Sequence, residues 1–212
     1  MNNPATNVGP RSIHDVYAEG LRYLMGQGEL NGALAQLSAD LGRHGIDYVV
    51  IGAVALMAHG YPRFTEDIDL VMTAEGLEAF HRELVGLGYV PAFHGSRKRL
   101  RSTTYNVPVE VIVSGEYPGD GRPKPVSFPV PAEASVEIDG VRVATLEKLV
   151  ELKLASGMTA PDRLKDLADV QELIKARGLT ADFAGRLDPY VREKYLELCA
   201  SVVRQGRRDA VE

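Results

Sequence analysis

The chain has few of the features that mark a secreted or a membrane protein. Cys199 is the only cysteine among 212 residues, which excludes a disulfide framework and a thiolate metal cluster. No apolar run approaches the roughly 20 residues that a membrane-spanning helix needs. The first residues, MNNPATNVGPRS, lack the apolar core of a signal peptide. We therefore expect a cytoplasmic protein that has no membrane partner.

An excess of positive charge and a histidine cluster are also missing. The net charge of -5 argues against a protein that coats nucleic acid non-specifically. His59, His81 and His94 lack the spacing of metal ligands. Hydrophobic residues make up 45% of the chain and charged residues 25%, as in ordinary globular proteins. Composition therefore predicts a chain that folds on its own, and any function must be inferred from local motifs.

The order of turn, strand and helix patterns predicts three regions. Residues 1–11 are rich in Asn, Pro and Gly and are expected to be flexible. Residues 12–145 predict an α/β (α+β) domain, in which helices begin near Ile13 and Leu34 and the strands follow. Residues 146–212 predict a helical C-terminal region. The expected fold is a mixed sheet flanked by helices.

Two carboxylates interrupt a strand pattern in TEDIDLVM, residues 65–72. Side chains alternate across a strand, so Asp67 and Asp69 are predicted to share one face while Ile68 and Leu70 face the core. Aspartate is unfavourable in strands, and a buried carboxylate without a partner is costly. A hard divalent cation would compensate for both, because such cations prefer oxygen ligands.

A third carboxylate lies in a later strand pattern, NVPVEVIVSG. Val109 and Val111 are predicted to face the core, which leaves Glu110 on the side of the two aspartates if the strands adjoin. Three carboxylates on neighbouring strands can hold two Mg²⁺ ions for in-line phosphoryl transfer.

A glycine turn precedes the acidic strand. The run YVVIG ends at Gly52 and leads directly into a helical pattern, so the backbone amides of Gly52 and Ala53 are predicted to bind phosphate. Glycine would let the phosphate approach the backbone closely. Arg63 and Thr65 lie just before the aspartates and are candidates to steady them or to reach the phosphate.

The order IGAVAL, RFTEDIDLVM and VEVIV resembles the nucleotidyltransferase superfamily related to DNA polymerase β, in the branch that includes AbiEii-type toxins. The resemblance covers about residues 46–113. It implies a polymerase β-like mixed sheet and Mg²⁺-dependent transfer of a nucleoside monophosphate from a nucleoside triphosphate, such as ATP, to a hydroxyl or phosphate acceptor. It also implies that Asp67, Asp69 and Glu110 bind two metal ions and catalyse the reaction.

Similarity continues in ATLEKLVELKLASG and RLKDLADV. AbiEii-like proteins have similar helices, which implies that Lys153 contacts the triphosphate. Arg163, Lys165, Asp166 and Asp169 are the other matching positions. It is equally open that Lys153 is a solvated surface lysine and that the two aspartates pair with Arg163 or Lys165 on their own helix.

Three further interpretations stay open. The run SRKRLR, residues 96–101, either guides an acceptor such as RNA (tRNA) toward the metals or is a solvated surface. Ala53 and Glu110 depart from the residues that are commoner in the family, so an inactive relative that binds nucleotide, RNA or protein is a rival function. The chain could also be an antibiotic-modifying enzyme, or the toxin of a toxin-antitoxin pair with a cognate antitoxin as partner. The acceptor, the preferred nucleotide and the oligomeric state stay undetermined.

Overall fold

The computed structural model describes residues 28–209. The predicted flexible residues 1–11 and the helix predicted near Ile13 lie outside this range. The described chain contains a seven-stranded mixed sheet in the order β3-β4-β5-β2-β1-β7-β6. The strands are β1 (Val49–Val50), β2 (Ile68–Met72), β3 (Tyr89–Pro91), β4 (Arg99–Ser102), β5 (Pro108–Val113), β6 (Ser135–Ile138) and β7 (Val141–Ala144).

Helices precede, interrupt and follow the strands, as the α/β prediction requires. Those that the described chain contains are α1 (Glu29–Arg43), α2 (Gly52–Ala58), α3 (Ala74–Glu83), α4 (Leu146–Thr159), α5 (Leu164–Arg177) and α6 (Pro189–Asp209), with short 3-10 turns at Pro131–Glu133, Pro161–Arg163 and Ala181–Arg186. The predicted fold class, a mixed sheet flanked by helices, is confirmed. Every one of these helices is too short or too polar to cross a membrane.

The core lies on the apolar face of the sheet. Ile68 and Leu70 of β2 are fully buried, and Val109 and Val111 of β5 are 1% exposed, because alternation turns every second side chain of these strands inward. The same hydrophobic cluster includes residues of α4, α5 and α6. Apolar packing therefore continues from the sheet into the C-terminal helices, and the domain boundary near residue 145 stays a prediction.

The strands β2 and β5 are parallel neighbours, which brings the two acidic motifs together. Their register pairs Asp69 with Glu110 and Ile68 with Val109. The strand predicted for residues 65–72 is shorter in the structure, because β2 begins at Ile68 and Asp67 precedes it. Asp67 would be opposite Pro108 in this register, and proline has no N–H with which to extend the ladder.

Candidate active site

One cavity of about 370 Å³ contains all of the site residues that the sequence predicts. Strand β2 and the segment before it supply two carboxylates, β5 supplies the third, and the turn into α2 lies directly beside Asp69. Helix α4 supplies the lysine. The predicted residues that line the cavity are Gly52, Ala53, Arg63, Thr65, Asp67, Asp69, Glu110 and Lys153.

Asp69 is at the centre of the acidic face. Burial, with smaller contributions from the negative charges of Asp67 and Glu110, raises the pKa of Asp69 to about 6. The positive charges of Lys153 and Lys165 act in the opposite direction but do not cancel the increase. A bound cation would relieve this concentration of negative charge, since opposite charge favours the ionised form of a carboxyl group.

The carboxylates are donors of the kind that Mg²⁺ prefers, but they do not form a closed cluster. Within residues 28–209, no three His, Cys, Asp or Glu side chains are arranged to hold a metal ion. Two of the carboxylates have other partners: Arg99 Nε lies 3.5 Å from Glu110 Oε1, and the hydroxyl of Thr65 donates to Asp67. Asp67 and Asp69 fit a magnesium site with waters and substrate oxygens as the other ligands. Glu110 would join them after turning from Arg99.

A glycine is needed at position 52 because the carboxylate of Asp69 lies directly against it. The sequence alone does not reveal this reason. The φ of Gly52, 63°, lies in the left-handed region, and a Cβ atom at this position would be 2.1 Å from Asp69 Oδ2. The Ile51 N–H also donates to the Asp69 carbonyl at 3.0 Å. The turn and the acidic strand therefore fit directly against each other, before any ligand is considered.

Helix α2, which begins at Gly52, has only seven residues, so its dipole is small. The first N–H groups of a helix have no intrahelical acceptor, and Gly52 and Ala53 both line the cavity. An anion bound at this turn would be held by these amides rather than by the helix dipole.

Replacement of Gly52 by Ala is expected to lower the free energy of unfolding by about 2 kcal/mol or more, because a left-handed backbone strains alanine and the new methyl group overlaps Asp69. The matched control is Gly42→Ala, since that glycine lies within α1 with no atom within 4 Å of the added Cβ. Alanine in a helix interior should stabilise by up to about 1 kcal/mol. Chemical denaturation measures both, and a Gly52→Ala variant as stable as the wild type would contradict the close fit.

A buried charge cluster lines the same cavity and decides between the alternatives that the sequence left open. Lys153 is 7% exposed, and its Nζ lies 2.7 Å from both Asp166 Oδ1 and Asp169 Oδ2. Arg63 Nη1 lies 3.0 Å from the same oxygen of Asp169. Lys153 is therefore not a solvated surface lysine, and the pairing of the two aspartates with Arg163 or Lys165 is wrong. The packing of α5 on α4 directs these aspartates inward instead.

The charges of this cluster are balanced by direct contacts. Burial raises the pKa of Asp166, but the ion pair with Lys153 and hydrogen bonds from Lys153 and Ser156 outweigh it, so the pKa lies below its usual value. The Ser156 hydroxyl donates to Asp166 at 2.7 Å. Because Lys153 already binds two carboxylates, its charge is only partly available to a triphosphate.

Arg163 and Lys165 are the cations at the cavity rim. Both side chains belong to exposed residues and both line the cavity. Lys165 is near enough to Asp69 to lower its pKa. The R-x-K-D spacing placed these two residues beside Asp166, but their orientation toward the cavity depends on how α5 packs.

The basic run at residues 96–101 is not a free basic surface, since each of its four cations has a partner. Arg101 donates to Asn106, and the other three pair with acidic side chains. The ion pairs are Arg97 with Glu78, Lys98 with Glu116, and Arg99 with Glu110. This pairing lowers the positive potential that an RNA acceptor would meet.

Comparisons with known proteins give structural likenesses but no family. No family model matches the chain, and no curated protein matches it. A nucleotidyltransferase-like protein of Paracoccidioides brasiliensis has a TM-score of 0.47 and 18% identity over 85% of this chain and 89% of that one. ANT(2")-Ia, solved with adenylyl-2"-tobramycin, has a TM-score of 0.45 and 16% identity over 79% and 92%. JHP933 of Helicobacter pylori has a TM-score of 0.45 and 16% identity over 86% and 94%. Because these TM-scores are below 0.5, the function has to be argued from the site.

Replacement of Asp69 by Asn should stabilise the metal-free protein at alkaline pH. The folded-state pKa of about 6 exceeds the unfolded value of about 3.9, so ionised Asp69 destabilises the fold above pH 6 by up to about 3 kcal/mol. The difference between Asp69→Asn and the wild type should shrink as pH falls through 6 and vanish below about pH 4, where both states are protonated. Urea denaturation in EDTA at several pH values measures it, and a gap that does not change with pH would contradict the raised pKa.

Proposed function

We propose that the protein is a Mg²⁺-dependent nucleotidyltransferase, which moves a nucleoside monophosphate from a nucleoside triphosphate to an acceptor. The observation that carries the proposal is the arrangement of Asp67, Asp69 and Glu110 in one cavity, with Asp69 fitted against Gly52. The two aspartates could bind a divalent metal ion, and the glycine turn and the exposed cations could bind the phosphates of a nucleoside triphosphate that carries this ion.

The residues of the chain have separate roles in this reaction. Asp67 and Asp69 would hold Mg²⁺, and Glu110 would complete the site. The amides of Gly52 and Ala53 would donate to the phosphates, with Arg163 and Lys165 beside them at the rim. When bound, Mg²⁺ supplies neutralisation of the charge on the phosphate oxygens. Arg63 would act through Asp169, holding the buried cluster against the site.

The reaction makes one bond and breaks one. The acceptor oxygen attacks the α-phosphorus, the bond between that phosphorus and the bridging oxygen of the β-phosphate breaks, and pyrophosphate leaves with the bonding electrons. Glu110 is the candidate to receive the acceptor proton, because its side chain is 42% exposed and it lies beside Asp69 in the register of the two strands. Catalysis would come from positioning and charge neutralisation.

A label-transfer experiment tests the proposal. The purified protein is incubated with each α-³²P-labelled nucleoside triphosphate and Mg²⁺, in separate reactions with total tRNA, with casein and with an aminoglycoside. Label is expected on one acceptor class, with Asp69→Asn inactive. The matched control is Asp182→Asn, which changes an exposed aspartate outside the cavity. Transfer by Asp69→Asn at the wild-type rate would overturn the metal assignment.

A binding module is the second candidate, and two observations favour it. The side chain of Ala53 has no hydroxyl that could donate to a phosphate. Glu110 forms an ion pair with Arg99 rather than completing a metal site with the two aspartates. A protein of this kind would bind nucleoside triphosphate with Mg²⁺ but release no pyrophosphate with any acceptor. Equilibrium binding measured beside pyrophosphate release separates the two candidates.

The acceptor and the biological role are further proposals. The ion pairs of the run at residues 96–101 weaken the case for RNA and leave a protein or a cationic antibiotic as equal candidates. The role of a toxin with a cognate antitoxin rests on the sequence resemblance alone. Growth arrest on expression that requires Asp69 would support that role, and normal growth with an active enzyme would oppose it.

A further inference from the structure

The cavity has an apolar end beside its acidic face. Ile112 follows Glu110 by two residues on β5, so it lies on the same face about 7 Å further along the strand. Phe128 and Pro118 line the cavity with it. A polar strip therefore continues into an apolar surface within one cavity.

The main chain at Phe128 is held in place by two backbone hydrogen bonds. Its N–H donates to the Glu116 carbonyl at 2.9 Å, and its carbonyl accepts from the Gly115 N–H at 2.8 Å. The side chain is half-buried and packs against the core. In the aromatic pairs that the described residues form, the rings belong to Phe80, Tyr89, Phe183 and Tyr195. Among residues 28–209, the face of Phe128 is thus not used in a ring pair.

The loop between β5 and Phe128 is fixed to helix α4, which makes the apolar end a preformed surface. The side chain of Lys124 is 5% exposed, and its Nζ donates to the Pro118 carbonyl at 2.5 Å and to the Thr159 hydroxyl at 3.3 Å. Gly119 lies so close to α4 that an added Cβ would be 2.9 Å from the carbonyl oxygen of Ser156. Helix α4 also carries Lys153, so the apolar and charged ends share one support.

We infer that Phe128 is the platform on which the nucleobase of the nucleoside triphosphate stacks, with Ile112 and Pro118 beside it. The inference rests on the proposed function. A nucleotide has a polyanionic end and a flat apolar end, and the cavity has a matching pair of surfaces: Asp69 with the rim cations at one end and Phe128 at the other. Aromatic rings stack on every base because each base has a π-face. The stack therefore provides affinity and orientation more than discrimination among bases.

The test compares nucleoside triphosphate with inorganic tripolyphosphate, which has the charges but no base. Calorimetry with Mg²⁺ measures the affinity of the wild type and of Phe128→Leu for ATP, GTP, CTP, UTP and tripolyphosphate. Phe128→Leu keeps apolar volume but loses the ring, and we expect triphosphate affinity to fall about tenfold, which is ~1.4 kcal/mol. Tripolyphosphate affinity should not change, and Phe128→Tyr should restore nucleotide binding.

Phe93→Leu is the matched control, because Phe93 is 60% exposed and does not line the cavity. Unchanged nucleotide affinity in Phe128→Leu would overturn the inference. An equal loss for nucleotide and tripolyphosphate would also overturn it, because the ring would then support only the cavity's shape. If the wild type binds neither compound, the proposed function itself fails. This outcome differs from failure of the Phe128 inference alone, because it is seen in the wild type without any variant.

Discussion

Replacement of Asp69 by Asn should reduce nucleotidyl transfer by about 10³-fold or more, equivalent to roughly 4 kcal/mol in the activation barrier. The amide keeps the shape of the carboxylate but loses the negative charge that holds the cation. Asp67→Asn should have an effect of the same order, since both side chains line the cavity. Initial rates of pyrophosphate release at saturating nucleotide and Mg²⁺ measure the loss.

Asp69→Asn has an internal control against unfolding. Because burial raises the pKa of Asp69 to about 6, the variant should be at least as stable as the wild type at pH 8 without metal. If the variant is inactive but has a higher free energy of unfolding than the wild type, the loss of activity is not caused by unfolding. A variant that keeps more than about a tenth of the wild-type rate would contradict the role of Asp69, because a factor of ten is only ~1.4 kcal/mol.

Replacement of Lys153 by Met should lower the free energy of unfolding by about 3–5 kcal/mol, because it leaves buried Asp166 without its ion-pair partner and Asp169 with Arg63 alone. Asp166 is 6% exposed and Asp169 is 3% exposed, so water cannot replace the lost ammonium group. Methionine preserves the aliphatic volume, which limits the effect to charge. Urea denaturation at pH 7.5 measures the change.

The matched control for Lys153→Met is Lys175→Met on α5. Lys175 pairs with Glu172 on the surface, where the two side chains are 37% and 41% exposed, and exposed pairs contribute about 0–1 kcal/mol. Lys153→Met combined with Asp166→Asn and Asp169→Asn should regain much of the lost stability. If the two lysine variants are equally stable, the cluster does not hold α4 and α5 together.

The acidic face could be predicted because its cause is local. Alternation along a strand puts Asp69 and Glu110 opposite the core residues Leu70 and Val109, whatever the rest of the fold does. The carboxylates of the two strands then come together as soon as these strands pair as neighbours, and β2 and β5 do pair, in parallel. Alternation alone overestimated the length of β2. It takes no account of Pro108 on the neighbouring strand, which has no N–H to bond the residues before Ile68.

The contacts that complete the site could not be predicted, because they join distant parts of the chain. The fit of Gly52 against Asp69 depends on the left-handed turn after β1, and the partners of Lys153 depend on the packing of α5 on α4. Sequence spacing places Asp166 and Asp169 three residues apart on one helix face, but it does not say whether that face points to solvent or to a neighbouring helix. Arg63 reaches Asp169 across 106 positions of sequence, beyond any local rule.

Metal binding at Asp67 and Asp69 is measured most directly by titrating Mn²⁺, a spectroscopic substitute for Mg²⁺, and following the free ion by electron paramagnetic resonance with and without ATP. We expect the wild type to bind Mn²⁺ at pH 8, more tightly with ATP, and Asp69→Asn to lose this binding while Asp182→Asn retains it. Equal Mn²⁺ binding by Asp69→Asn and the wild type, with ATP present, would contradict the assignment of this cavity as a metal-dependent nucleotidyltransferase site.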